Sequence, residues 1–285
     1  MASLPPGPVF DAHHHLWRRA EVPRQGILAA PYLDRDFSWD DLDRAAGGLE
    51  LSGTCLVQAR EDPAEVSFVE EVAAQHPRLR AMVAFAPVER PELGAVLDDL
   101  RRRPIVRGVR RSTQHEADPD FVARPEFVAG ARQVGAKGLL LEVCVRHQQL
   151  PAVTGLAAAC PETSIVVEHL GKPDVTGAPP TGWLRTMERF ARLPNTWCKV
   201  SPVVHADADP AFSLQRQAPF IRHAVDCFGW DRSLFGSNWP VATAVVAYPE
   251  WAAIVMESLE DASPQQLDAL FGANAARLYC GEEGS

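Results

Sequence analysis

Eight short β-like runs recur along the chain, and an amphipathic stretch with helical spacing follows each of them. The runs lie at 9–15, 54–59, 80–85, 105–110, 138–145, 164–169, 196–201 and 234–238. Several are continuously apolar, as strands of a parallel sheet covered on both faces are. The stretches between them are 37–46, 65–75, 91–102, 125–134, 150–159, 183–193, 218–228 and 249–259, several with proline in the first turn. The first opens with Ser38 three residues before Asp41, a capping-box start. Repeated β-then-α order implies parallel strands joined by right-handed crossovers. Eight such units in 285 residues predict one α/β domain over 1–285, a closed (β/α)8 TIM barrel, although an open doubly wound sheet has a similar periodicity. A last helical pattern, 264–278, falls beyond the eighth strand and is expected to complete the outer ring of helices.

The net charge of −9 argues against a general nucleic-acid binder, which needs a basic face for phosphates. No apolar run approaches the roughly 18–20 residues that span a membrane. The opening MASLPPGPVF also lacks the basic start and apolar core of a signal peptide. Six cysteines (Cys55, Cys144, Cys160, Cys198, Cys227 and Cys280) are scattered singly with no CxxC, the pattern of buried thiols in a reducing compartment. The cytoplasm is the expected location. Irregular regions at 18–34, 171–182 and 205–217 follow the first, sixth and seventh strands, at the ends where barrel enzymes carry substrate loops. The last five residues, GEEGS, are expected to fray.

The chemistry concentrates at those same strand ends. In DAHHHLW (11–17), side-chain alternation turns His13 and His15 to one face and His14 to the other. Two imidazoles two residues apart at a barrel mouth can grip a metal or a substrate oxygen together. His169 ends the sixth run in the same layer, and Lys172 follows it as a carboxylate contact or a plain surface lysine. LFGSNWP (234–240) ends the eighth run, where a carboxylate could act as general base, yet Asn238 can only donate and accept hydrogen bonds. Trp239 walls the pocket or simply packs, and Trp17, Trp39, Trp183 and Trp197 pose the same alternative. Gln58 and Arg60, after the second strand, orient substrate or cap the sheet.

The motifs DAHHHLW (11–17), RGVRR (107–111), EHLGKP (168–173), CKVSP (198–202) and FGSNWP (235–240), taken in order, resemble the amidohydrolase-2 family of the amidohydrolase superfamily. Within it they are most similar to TIM-barrel lactonases of sugar acids and of 2-pyrone-4,6-dicarboxylate. The resemblance runs from about residue 9 to 278. It implies a distorted barrel, hydrolysis of a lactone or related carbonyl compound, and a small-molecule substrate. It puts His13, His15 and His169 in the site, holding one divalent metal such as zinc or manganese, or working without a tightly bound one. It assigns Arg110 or Arg111 to a substrate carboxylate or carbonyl; of two adjacent strand arginines one must face away. The chain departs from the family at two carboxylates, with Asn238 and Glu168 where aspartates are usual, and in Lys199-Val200-Ser201-Pro202, where the family carries a KxSG-like segment. Lys199 lies on the seventh run, later than the metal-bridging lysine of binuclear relatives, so no carbamylated two-metal centre is expected.

In that family the eighth-strand aspartate relays the proton of the attacking water, which an amide cannot do. Such general-base help is worth about 10²–10⁴-fold. Glu142 and His169 are candidate replacements, Glu142 being equally an ion-pair partner, while alternation turns Glu168 away from the site. Three readings follow: a lactone hydrolase, a non-hydrolytic isomerase, lyase or cyclising enzyme on the same scaffold, and a pocket-bearing binding protein. A homodimer is the expected assembly.

Overall fold

The computed structural model describes residues 4–22, 26–204 and 214–281. Residues 205–213 of the seventh-strand loop, 23–25 of the first loop and 282–285 of the C-terminal GEEGS lie outside the described residues.

Eight parallel strands pair in sequence order, each with the next. They are β1 (Val9–His14), β2 (Leu51–Val57), β3 (Leu79–Phe85), β4 (Val106–Ser112), β5 (Leu140–Cys144), β6 (Ile165–Val167), β7 (Thr196–Val200) and β8 (Ser233–Phe235). The barrel closes just beyond β8, where His15 N donates to Trp239 O at 2.7 Å and Asn238 N donates to His13 O at 2.8 Å. The crossovers are α1 (Trp39–Ala46), α2 (Ala64–Gln75), α3 (Leu93–Arg101), α4 (Pro125–Ala136), α5 (Leu150–Ala159), α6 (Thr181–Ala191), α7 (Ala218–Phe228) and α8 (Tyr248–Ser258). The capping box before α1 forms as expected, with Ser38 Oγ accepting from Asp41 N, and Gly47 ends the helix in the left-handed conformation that suits glycine. Among the described residues no helix is long and apolar enough to cross a membrane.

Two apolar layers hold the barrel. The larger lies between strands and helices; the smaller, built on Phe10, Cys55, Ala81, Val166 and Leu234, fills the lumen. Tyr279 belongs to the lumen layer, its ring stacked on Phe10. The C-terminal segment meets the expectation of an outer helix only in its first half. From α9 (Pro264–Asp268) onward Leu267, Leu270 and Phe271 join the outer apolar layer, and the chain then carries Ala275 and Tyr279 into the lumen layer at the N-terminal mouth. The cause is visible in Asn274, whose amide donates to Trp230 O and Ser233 O and so ties the segment to the start of β8.

One irregularity positions the site. Asp11 pairs with Thr54 and His14 with Leu56, three steps on β1 against two on β2. The extra residue is a β-bulge, which interrupts alternation and re-aims side chains. Phe10 and Ala12 face the lumen, and His13 faces it too. His14 turns outward to Thr54 Oγ1 and the Trp39 ring. Gly236 makes room for the bulge: a Cβ there would stand 2.9 Å from His13 Cβ and 3.3 Å from Ser201 Cβ. Gly236→Ala is therefore expected to destabilise the fold by about 1–3 kcal/mol, as overpacking of rigid atoms does. Urea unfolding measures this, and an unchanged midpoint would contradict the close approach.

Candidate active site

At the C-terminal end of the lumen three imidazoles meet. His13 Nε2 and His15 Nε2 are 3.2 Å apart, and the His13 and His169 ring centres are 4.5 Å apart. His15 Nδ1 donates to Val57 O at 2.6 Å, and His169 Nδ1 lies 2.8 Å from Ser201 Oγ. Burial pushes His15 down to about 3 and holds His13 and His169 well below the ordinary imidazole range. All three are neutral rings at physiological pH.

Their protons are ordered from below. Lys199 is fully buried; its Nζ donates to Glu142 Oε2 and lies 3.4 Å from His13 Nδ1. An ammonium has no lone pair, so His13 Nδ1 accepts and His13 Nε2 carries the hydrogen. That hydrogen points at His15 Nε2, whose own hydrogen sits on Nδ1 against Val57 O. The chain of donors runs one way, from Lys199 through both histidines to the strand. Glu142 also accepts from Tyr279 Oη; burial pushes its carboxyl up against the pull of Lys199. Glu142 thus sits beneath the imidazoles as an ion-pair partner, away from the cavity wall.

Glu168 corrects the expectation that it turns away. Val166 faces the lumen, so Glu168, two residues on, faces it as well, fully buried. His169 rejoins it because β6 has ended and the chain turns left-handed there (φ 50). Arg110 Nη1 lies 3.3 Å from Glu168 Oε2, and its other arm donates to Gln58 O. Burial would raise the Glu168 carboxyl, but the positive charges of Arg110 and Lys199 help hold it down to about 2.

Above this floor opens a cavity of about 810 Å³ whose wall includes His15, Gln58, Arg110, Arg111, His169, Lys172 and Asn238. Gln58 has both polar ends engaged, Nε2 on Asp62 O and Oε1 on Phe85 N. Arg110 points inward as one of its pair must, while the Arg111 fork spans Glu89 and Glu116 on the rim at 2.8 Å each. Asn238 Nδ2 lies 3.4 Å from Pro202 O, leaving Oδ1 for a ligand. Trp239 packs on Phe37 instead of the cavity, and Trp17, Trp39 and Trp183 are likewise buried in the shell. Phe85 is the aromatic ring on the wall. Among the described residues the non-glycine positive φ angles fall at His169, Leu170, Lys172 and Asn238, all on or beside this wall. Backbone strain gathered in one place marks a functional site. Sequence reasoning passed over Asp11 and Ser201. The first holds His13 N at 3.0 Å and Ser237 Oγ at 2.6 Å, the second orients His169. Their signal was their place inside the DAHHHLW and CKVSP motifs.

Comparison with known proteins now bears on this geometry. The family model described as amidohydrolase matches residues 10–280. The chain belongs to the amidohydrolase family. An L-fucono-1,5-lactonase of Burkholderia multivorans is 32% identical over 290 residues, covering 95% of each chain. A 2-pyrone-4,6-dicarboxylate hydrolase of Comamonas testosteroni is 29% identical over 98% of this chain and 92% of its own. A crystal structure of an amidohydrolase from Burkholderia multivorans with bound zinc superposes with a TM-score of 0.86 at 30% identity, covering 96% of this chain and 99% of that one.

The donor set here suits such an ion. His13, Glu168 and His169 offer ligand atoms all within 4.8 Å of one another. The 3.2 Å between His13 Nε2 and His15 Nε2 is close to the ~3.3 Å edge that zinc–nitrogen bonds of about 2.0–2.1 Å give a tetrahedron. His15 and His169 have their second nitrogens tied to fixed partners, as metal-bound histidines do. Lys199 opposes the fit at one point, facing the His13 nitrogen that would need a hydrogen once Nε2 held a cation. The double variant Lys199→Met/Glu142→Gln, which leaves no lone buried charge, is expected to bind zinc at least tenfold more tightly by calorimetry. Nitrogen-15 spectra of the metal-free protein should show the His13 hydrogen on Nε2 in the natural chain; a hydrogen on Nδ1 would contradict this donor chain.

Proposed function

We propose that this amidohydrolase opens lactones by hydrolysis in the cavity above the C-terminal strand ends. What carries the reading is the convergence of neutral imidazoles, the Arg110 guanidinium and the Asn238 amide on one floor, in a chain similar over nearly its whole length to hydrolases of cyclic esters. Ester opening needs a donor where negative charge develops, a positioned water, and a proton path to the ring oxygen.

Arg110 supplies the first. Its guanidinium is pinned by Glu168 and Gln58 O, so the donors left over reach a lactone carbonyl without reorganising. Asn238 Oδ1 accepts a hydrogen of the attacking water and fixes its direction; the amide cannot take the proton away. Neither does another strong base stand on the floor: the imidazoles are held low by burial and Glu168 by Arg110. A divalent cation such as zinc or manganese, held by His13, His15 and His169 with Glu168 beside them, would supply a water acidified toward neutral pH. The chain then aims that water and stabilises the oxyanion, and the proton the water gives up is the one the opened ring oxygen takes.

The enzyme is taken to be a cytoplasmic homodimer. Six cysteines, all free thiols, support the compartment; the prevalence of two-fold oligomers supports the assembly, which light scattering tests.

A lactone panel followed by proton release tests the reaction. Opening of at least one ring is expected, lost on chelation and restored by zinc or manganese; a panel inert in every metal condition overturns it. Asn238→Asp, which restores a carboxylate, is expected to raise turnover at least tenfold, within the ~10²–10⁴-fold range of general-base help. One observation, the amide at Asn238, favours a second reading in which the same pocket isomerises, cleaves or cyclises its substrate without water. Hydrolysis seen in Asn238→Asp but not in the natural protein would select it.

A further inference from the structure

Five arginine and lysine side chains line the cavity, and they fall into two groups. Arg60 is neutralised by Glu21 at 3.3 Å and Glu65 at 3.6 Å, Arg110 by Glu168 at 3.3 Å, and Arg111 by Glu89 and Glu116 at 2.8 Å. Arg146 and Lys172 differ. Arg146 Nε donates to Gln114 O at 3.2 Å, and Lys172 Nζ donates to Gln114 Oε1 at 2.5 Å. Among the described residues neither has a carboxylate oxygen within 4.0 Å. One neutral residue therefore brackets two like charges on the side of the mouth formed by the loops after β4, β5 and β6.

The bracket is built, not incidental. Lys172 holds a left-handed backbone (φ 43) that a lysine seldom adopts, and His147 N reaches Lys172 O at 3.4 Å to brace that turn. His115, next to Gln114 and also on the wall, is pushed down by burial and by Lys172 and Arg146, so it adds no third charge at physiological pH. Lys172 follows three residues after His169, and Arg146 two residues after Cys144, another wall residue. A ring seated over the imidazole floor would carry a substituent on this side straight to both cations. A neutral polyol would leave them without a counter-charge; a carboxylate would supply it, with the planar Arg146 fork suited to bind both oxygens.

We infer that the lactone this site takes bears a free carboxylate, held by Arg146 and Lys172 on the β5–β6 side of the mouth. The inference rests on the lactonase reading and narrows it, separating a carboxylated ring from an uncharged sugar lactone.

The test uses the full chain and pairs each lactone ring as its carboxylate and its primary amide, starting with 5-oxotetrahydrofuran-2-carboxylate and the matching carboxamide. The carboxylate should be preferred at least tenfold in kcat/KM. Arg146→Gln and Lys172→Gln should each raise KM for the carboxylate about tenfold with kcat held within a few-fold, so that the preference collapses. The preference should also shrink with added salt, since the exposed Arg146 and the half-buried Lys172 are screened. Amides opened as fast as carboxylates, or a preference untouched by both variants, overturns the inference and leaves the lactonase reading standing. Should no lactone open at all, that reading fails, and calorimetry with 2-hydroxyglutarate judges the carboxylate subsite separately. Binding weakened tenfold in both variants supports it; no binding, or equal binding in the variants, overturns it.

Discussion

The Asp11 carboxylate, shut off from solvent, accepts hydrogen bonds from His13 N, Ser237 N, Ser237 Oγ and Tyr248 Oη. These donors come from β1, the segment after β8, and α8. One carboxylate thus ties the first strand to the last and both to the closing helix. Burial raises its pKa, and the four donors pull the other way. Hydrogen bonds to a charged group are worth on the order of 1.5–3 kcal/mol each. The bulge that turns His13 inward and the turn that presents Asn238 both begin at this clamp, so the metal-suited floor depends on a residue that touches no substrate.

Above the clamp the lumen is a column of alternating demands. Tyr279 closes the bottom; Glu142 and Lys199 pair above it; His13 and Glu168 come next; His15, His169 and Arg110 meet the cavity. Adjacent layers settle one another's protonation. Lys199 orders the His13 hydrogen, and Arg110 keeps Glu168 ionised. The result is a floor rich in lone pairs and poor in strong bases. That balance explains how an amide at Asn238 can sit where the family usually keeps an aspartate: basicity can come from a bound cation, while the chain supplies direction and charge.

Much of this was legible in the chain. Eight β-like runs alternating with eight amphipathic stretches spell a parallel sheet covered on both faces, and their number favours a barrel over an open sheet. The strand-end histidines were legible for a related reason: strands that close into a barrel bring their C-terminal ends to one rim. Less could be read where local rules stop. Simple alternation put Glu168 outside because it assumed that His169 continued the strand; the left-handed turn at His169 breaks that assumption. Trp239 read equally as a pocket wall or a packing residue, and its packing partner Phe37 lies more than two hundred positions away. The helix at 264–278 read as one more outer helix, since its apolar pattern cannot say whether it covers a strand or a barrel mouth.

The sequence alone therefore determined the architecture, the family, the three imidazoles and the missing carboxylate, all of which are matters of residue type and local period. Only the tertiary structure decided which way those groups point and what charge each holds. The bulge in β1, the four left-handed residues and the buried Lys199–Glu142 pair arise from contacts between segments far apart in the chain. So does the contrast between Arg111, neutralised by Glu89 and Glu116, and Arg146 with Lys172, which share Gln114 and meet no carboxylate among the described residues. Charge and direction at a site are set by neighbours in space, and periodicity along a chain does not encode who those neighbours are.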